Sequence, residues 1–404
     1  MPFPVENSCA SYARLQQAVI LPAKLTKLNE YCARLLSFTA SGRTVNFARI
    51  LCLGILSISG IDGDTPEPID NPIFAPGAKL ELVYRRTAKL NSGLTEGPAV
   101  APDGSIYFTD MPFGANDQTI IHRYDPRSKK LTVFAKEAGK TNGLAFDTQG
   151  FLVGCDGADG GGRCIRRWNT DTDECTIVAD RFQGKRFNSP NDLCVDRKGQ
   201  IYFTDPRYGG LEPRELNTQA VYRVNRDGSV IEITHDVEMP NGIVLSTDER
   251  TLYVGDHNNG GNRLSPADPP PKRGAMRLYA FPLDADGLVA GSRRTLVDFG
   301  EENGCDGITV DAQGSIFLSC RSLARPGVMV IDPDGKTLAF LPTGPTNQSG
   351  LFEDWKGIPS NVEFGTDDEI NVLYVTIDKQ FYRIRTKTQG AAAPWAVSKL
   401  KSKN

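Results

Sequence analysis

The chain has only three histidines, His122, His235 and His257, too few to suggest a histidine-rich zinc site. Its nine cysteines contain no C-x-x-C pair, which excludes zinc ribbons and thioredoxin-type redox motifs. The odd count leaves at least one thiol free or paired between chains. No G-x-S-x-G elbow is present, so a serine triad of that kind is absent. Basic residues are not in excess: 46 Lys and Arg stand against 49 Asp and Glu, a net charge of −3. A surface that tracks a phosphate backbone needs a clear basic surplus, so nucleic acid is not expected as a partner.

Long hydrophobic runs are scarce as well. The apolar stretch Phe47 to Ile61, flanked by Arg43 and followed by the acidic, Pro-rich segment Asp62 to Pro76, is too short to span a bilayer, so no stable membrane span is expected. It reads as the hydrophobic region of an export signal, which places the protein in the periplasm or outside the cell. The competing reading is a packing helix in a cytoplasmic protein, because some 46 residues precede the run.

What the chain does have is a repeat. Six segments align, beginning at Glu96, Asn142, Asn191, Asn241, Asp306 and Asn361. In four of them a glycine follows eight residues after the leader: Gly104, Gly150, Gly199 and Gly314. Each unit runs through a short strand, an Asp/Gly turn and a strand such as Ile201 to Thr204, then a second hairpin. Turn residues between β-branched and aromatic runs are the hairpin pattern. Four strands in about 50 residues make one propeller blade. The expected fold is therefore all-β, a six-bladed propeller with four-stranded blades.

The sixth unit ends one strand short, and Ala78 to Arg86 supplies a matching strand from the N-terminal side. A ring closed in this way leaves no open sheet edge. The expected organisation is an extension over 1–77, containing the 47–61 segment and a linker, a propeller over 78–388, and a disordered tail over 389–404. A surface loop is expected at the insert Asn258 to Gly274. Cys164 and Cys175 flank the turn Asn169 to Asp173, either as a disulfide or as two small buried hydrophobes. Trp168, Trp355 and Trp395 read as blade packing or surface residues. A ring of this size closes on itself, so a monomer is expected.

The first strand of every blade lines the central channel, so the leading residues converge on one axis at one height. Glu96, Asn142, Asn191, Asn241 and Asp306 then form an oxygen-only constellation, the donor set of a hard cation. An isolated Asn-Gly is more often a plain turn. Two carboxylates in one register, however, repel one another unless a cation lies between them. Chain reversal at each Asp/Gly turn brings the ends of the second strands back to the same face. Asp110, Asp156, Asp205, His257 and Arg321 are expected there, with Tyr208 just beyond. Asp205, Tyr208 and His257 are thus candidate substrate contacts. Arg186, beside Lys185, either binds substrate hydroxyls or is a solvated surface charge.

The strings TEGPAVAPDGSIYFTD, KRFNSPNDLCVDRKGQIYFTDPRYG, MPNGIVLSTD and CDGITVDAQGSIFLSC closely resemble the gluconolactonase / senescence marker protein / luciferin-regenerating family, nearest to bacterial gluconolactonases. The resemblance covers nearly all of residues 78–388. It implies a six-bladed propeller with a divalent ion, usually calcium, on the axis; zinc or magnesium would be alternatives. Carried over by motif, the ligands fall on Glu96, Asn191, Asn241 and Asp306, with Asn142 as a neighbour orienting water or substrate. It also implies hydrolysis of a small-molecule sugar lactone, such as glucono-1,5-lactone, to the aldonic acid. Asp306, placed to touch both metal and water, is the candidate general base.

Two departures bear on substrate. Animal relatives carry an arginine where this chain has Ser189. Many bacterial relatives carry a histidine where this chain reads CDGADGGGR, Cys155 to Arg163. The late histidine of diisopropyl fluorophosphatase-like members has no counterpart in the chain. Competing readings are a non-enzymatic propeller that serves as a binding platform, and a propeller hydrolase acting on another ester or a phosphotriester.

Overall fold

The computed structural model describes residues 71–87, 93–114, 116–261, 272–347 and 356–396. The chain divides into two units, Met1–Asp62 and Gly63–Asn404, and every described residue belongs to the second. The 47–61 segment, Trp355 and most of the 1–77 extension lie outside the described residues. No helix among the described residues is long and apolar enough to cross a membrane.

Six four-stranded antiparallel sheets follow one another around a ring. Their inner strands are Leu94–Val100, Thr141–Phe146, Leu193–Val195, Pro240–Leu245, Cys305–Val310 and Pro359–Phe364. The sixth sheet takes its outermost strand, Glu81–Arg85, from the N-terminal side, paired antiparallel with Gln380–Arg385. Closure by an N-terminal strand is as expected.

Turn chemistry explains the hairpins. Gly104, Gly150, Gly199 and Gly314 all have φ between +84° and +87° or, for Gly199, +81°, a region that other residues rarely enter. Asp147, Asp196 and Asp311 each accept the backbone N–H two residues on, which fixes the bend.

Every pair of neighbouring blades shares its own apolar core. Phe146, Leu152 and Trp168 pack with Ala99 and Tyr107 between the first two blades. Phe187, Phe203 and Tyr222 fill the gap between the second and third with Val153 and Ile165. At the closing seam Phe108 of the first blade stacks on Phe381 of the sixth, ring centres 4.2 Å apart. Polar bonds tie the same seam. The Tyr84 hydroxyl donates to Asp110 at 2.6 Å, and Arg86 Nε donates to the other oxygen of Asp110 at 2.7 Å.

One open choice is settled and one expectation is corrected. Cys164 and Cys175 are both free, the former buried and the latter exposed. The hairpin register sets Cys175 opposite Trp168 and Cys164 opposite Asp156, so the two thiols occupy different rungs. Residues 389–396, expected to begin a disordered tail, pack across the face away from Glu96. Ala312 N–H donates to the Gln389 carbonyl at 2.8 Å, and Ala391 N–H to the Val310 carbonyl at 3.2 Å. The Trp395 indole donates to the Val100 carbonyl at 3.2 Å and is buried in the first inter-blade core. Lysines in the neighbouring tail hid an apolar anchor, the short run Ala391 to Trp395, within a polar composition.

Removing a buried indole leaves a cavity, so Trp395→Ala should cost about 3 kcal/mol of stability, measured by urea denaturation. An unchanged denaturation midpoint would mean that this segment does not hold the ring.

Candidate active site

The axial residues owe their direction to a recurring irregularity. In the first, second, fourth, fifth and sixth blades the pairing register shifts where the inner strand begins, at Glu96/Ala99, Thr141/Leu144, Pro240/Ile243, Cys305/Ile308 and Pro359/Asn361. Such a bulge re-aims a side chain. The glycine after the leader gives the next blade room to approach. A Cβ on Gly242 would lie 2.1 Å from the Asp306 carbonyl, and one on Gly143 would lie 2.3 Å from an Asp192 carboxylate oxygen. Second-strand threonines link adjacent leaders. Thr109 donates to the Asn142 carbonyl at 3.0 Å and Thr204 to the Asn241 carbonyl at 2.7 Å.

The leaders form the floor of a pocket of about 490 Å³. Glu96, Asn142, Asn191, Asn241 and Asp306 all line it, with Tyr208, His257 and Arg321 on its wall. Asn361 does not; its amide donates to Asp192 Oδ2 at 3.3 Å below the floor. Asp192 stands where four of the other five units carry glycine, and it adds a third carboxylate to the axis.

Charge on the floor is poorly compensated. Burial, then Asp306, then Asp192 push the Glu96 carboxyl well above the usual range. Burial raises Asp306, against the pull of Arg321, whose Nη1 donates to Asp306 Oδ2 at 2.8 Å, and of the Asn241 amide. Asp192 is pushed up to about 7, chiefly by burial. The Asn241 side-chain oxygen is buried with no hydrogen-bond partner. An orphaned carbonyl oxygen beside two mutually repelling carboxylates fits a hard divalent cation. Glu96, Asn191, Asn241 and Asp306 are the residues placed to hold one. Among the described residues no group of three or more His, Cys, Asp or Glu is arranged for a metal, so the amides are an essential part of this donor set.

Two sequence-predicted contacts lie away from the pocket. Asp205 is fully buried and accepts the backbone N–H groups of Asn188 and Ser189, both at 2.7 Å. The reason is register. Thr95, Thr141 and Pro240 pair with Asp110, Asp156 and Asp256, so the second-strand acids share one rung. Asp156 and Asp256 likewise receive backbone N–H groups of the segment entering the inner strand. His257 and Arg321 lie one residue beyond that rung, and a step of one reverses the side-chain direction. Hence Met111, Gly157, His257 and Arg321 line the pocket while the aspartates brace loops.

Arg186 belongs to an unanticipated two-stranded ribbon, Arg181–Phe182 with Lys185–Arg186. Its guanidinium donates to the Gly162 carbonyl and its N–H to Glu215.

Tyr208 and His257 do reach the pocket. The tyrosine hydroxyl lies 3.2 Å from the carbonyls of Met239 and of His257. Burial, helped by Arg321, holds His257 down to about 3, so its ring is neutral. Sequence reasoning missed Lys140 and Asp192. The Asn-Asp pair of the third unit, standing where three others read Asn-Gly or Asp-Gly, was the available signal for Asp192.

Fold and floor together define a six-bladed propeller with one oxygen-rich axial pocket. The chain belongs to the SMP-30/Gluconolactonase/LRE-like region family, which it matches over residues 94–350. It is 31% identical over 319 residues to a gluconolactonase of Zymomonas mobilis, covering 73% of this chain and 79% of that protein. It is 28% identical over 283 residues to a 6-deoxy-6-sulfogluconolactonase of Pseudomonas putida, covering 68% and 79%. A solved gluconolactonase structure from Xanthomonas campestris superimposes with a TM-score of 0.60 at 26% identity, covering 81% of this chain and 99% of that one.

Neutralising one member of the repelling pair should stabilise the cation-free protein. Glu96→Gln is expected to raise the melting temperature in chelator and to remove any increment that calcium gives the wild type, which for a bound ion would be about 2.7 kcal/mol at a hundredfold excess over Kd. Equal melting temperatures in chelator and equal calcium increments would remove the case for a cation here.

Proposed function

We propose that this protein hydrolyses a sugar lactone of the glucono-1,5-lactone kind to the aldonic acid, with calcium held by Glu96, Asn191, Asn241 and Asp306. The observation that carries the reading is the convergence of two buried carboxylates and several amides on the floor of one pocket, in a chain of this family. The named activities of the Zymomonas and Pseudomonas relatives support lactones as the substrate class.

A bound divalent cation supplies Lewis acidity toward a carbonyl oxygen and makes nearby water more acidic. The chain's own groups do the rest. Asp306 takes the proton of the attacking water. The Asn142 amide, exposed to the pocket beside Glu96, orients a substrate hydroxyl or the water. Tyr208 and the neutral His257 form a wall of fixed dipoles against the sugar ring. Leu94, Met111, Phe113 and Leu211 line the same pocket and limit water around the bound ester. A propeller that only recognises a partner has no use for two carboxylates forced together in a buried ring. The self-contained ring also supports a monomer.

Turnover of glucono-1,5-lactone and a panel of other lactones, with and without chelator, tests the proposal. Hydrolysis should be lost in chelator and return with calcium. Asp306→Asn should remain folded and lose roughly 10²–10⁴-fold in kcat. Absence of hydrolysis of every lactone at saturating calcium would leave ligand recognition as the function.

A further inference from the structure

Arg321 lines the pocket, and the preceding account leaves its chemistry unused. It follows the second strand of the fifth blade, Ile316–Cys320, and its backbone N–H donates to the Gly304 carbonyl at 3.0 Å. That bond fixes where the side chain leaves the sheet. The side chain is about nine-tenths buried, and Nη1 reaches Asp306 Oδ2 at 2.8 Å and the Pro359 carbonyl at 3.4 Å. A guanidinium has five N–H donors in a rigid fork. The donors on Nε and Nη2 make no hydrogen bond to any described residue, and neither atom is a sealed, orphaned donor. They therefore open onto the pocket that Arg321 lines.

No other cationic side chain of the lining offers a fork of open donors beside Asp306. Lys140, a second cation of the pocket, donates its ammonium to the carbonyls of Pro112 and Gly114 at 3.1 and 2.5 Å. The Tyr208 hydroxyl is engaged by two backbone carbonyls, and the His257 ring is neutral. Arg321 also stands beside Asp306, so its free donors lie within a few ångströms of the group that would receive the water proton. A fixed cation at a cation site makes little sense for affinity alone, because like charges repel. It does make sense where negative charge develops during a reaction.

We propose that Arg321 is a catalytic residue that donates hydrogen bonds to the carbonyl oxygen of the lactone as that oxygen becomes an oxyanion. The inference rests on the lactonase reading above. Water adds to the carbonyl carbon and gives its proton to Asp306, while the carbonyl π pair moves onto the oxygen facing Arg321. The pair then returns, the ring C–O bond breaks, and the departing oxygen takes the proton back from Asp306 to become the hydroxyl of the aldonic acid. One water is consumed and no oxidant or further reactant is needed. Nη1 holds the base in place, while Nε and Nη2 receive the charge that the base helps to create.

The test compares wild type, Arg321→Gln and Arg321→Lys in lactone turnover, calcium affinity by calorimetry and melting temperature. Arg321→Gln should lose roughly 10²–10³-fold in kcat, the loss typical of one oxyanion donor, with KM changed only a few-fold. Arg321→Lys should recover part of the loss. Calcium should bind Arg321→Gln as tightly as wild type or tighter, because a neighbouring positive charge has gone. A variant that binds calcium more weakly and regains full kcat in excess calcium would show that Arg321 only positions Asp306. A change confined to KM would assign it to ground-state binding, and near-wild-type kcat would remove it from the reaction; each of these overturns the proposal. A wild type inert toward every lactone would instead defeat the lactonase reading itself.

Discussion

The ring must close, and everything at its centre depends on that. Closure is achieved by pairing Glu81–Arg85 with Gln380–Arg385, so the last sheet is completed by a strand from the opposite end of the domain. Asp110 then receives both Tyr84 and Arg86 at the seam, and Phe108 stacks on Phe381 just inside it. An open ring would leave the first and sixth blades free to splay. The six inner strands would no longer share an axis, and residues from distant repeats would not meet. The pocket floor is therefore long-range by construction: Glu96 and Asp306 are brought together by four intervening inter-blade contacts, each held by its own apolar core.

The repeat made the fold and the floor legible because the same physical need recurs in each blade. A strand entering the axis needs a polar leader, a glycine where the next blade approaches and an Asp/Gly turn eight residues on. What did not recur was harder to see. The recurring second-strand aspartates read as a functional face because acids in one register usually signal a site. They are braces, and the rung one residue further faces the pocket. His257 lines the pocket, whereas Asp205 occupies the adjacent rung and points the other way. Arg186 was drawn into a local ribbon that no period announces, and Trp395 lay in a stretch whose composition is dominated by its charged neighbours. In each case the deciding fact was a direction or a partner, which residue type and spacing alone do not encode.

The floor itself is under electrostatic stress. Glu96, Asp306 and Asp192 are all buried and all raised, and Arg321 is the only cation bonded directly to any of them among the described residues. Asp192 is the telling member. Its place belongs to glycine in the neighbouring units, so the third blade gives up free space at the axis to gain a carboxylate. Its oxygen lies against Gly143 and receives the Asn361 amide. Asn361 is thus drawn below the floor, which explains why a sixfold repeat yields only five leaders in the pocket. A carboxylate under the ring also increases the pull on any cation above it without contributing to the wall that a substrate meets.

On the proposed reading, that division of labour lets one pocket combine attraction for a cation with room for a neutral sugar. Glu96 and Asp306 lie on the floor and Asp192 beneath it, and Asp159 also lines the pocket. The wall combines apolar surface, Leu94, Met111, Phe113 and Leu211, with Tyr208, neutral His257, Arg321, and Lys140 with its ammonium on two carbonyls. On that reading, a polyol ester approaching the floor meets fixed dipoles, apolar surface and the open donors of Arg321. Ser189 sits on this wall with its hydroxyl accepting the Ala158 N–H at 2.9 Å, so its oxygen is committed to the loop opposite. An arginine there, as in the animal relatives it resembles, would project a long cation into the cavity. With the small, engaged serine and the adjacent Gly157, no such cation stands on that side, and on the proposed lactonase reading substrate choice rests on the width and shape of the wall.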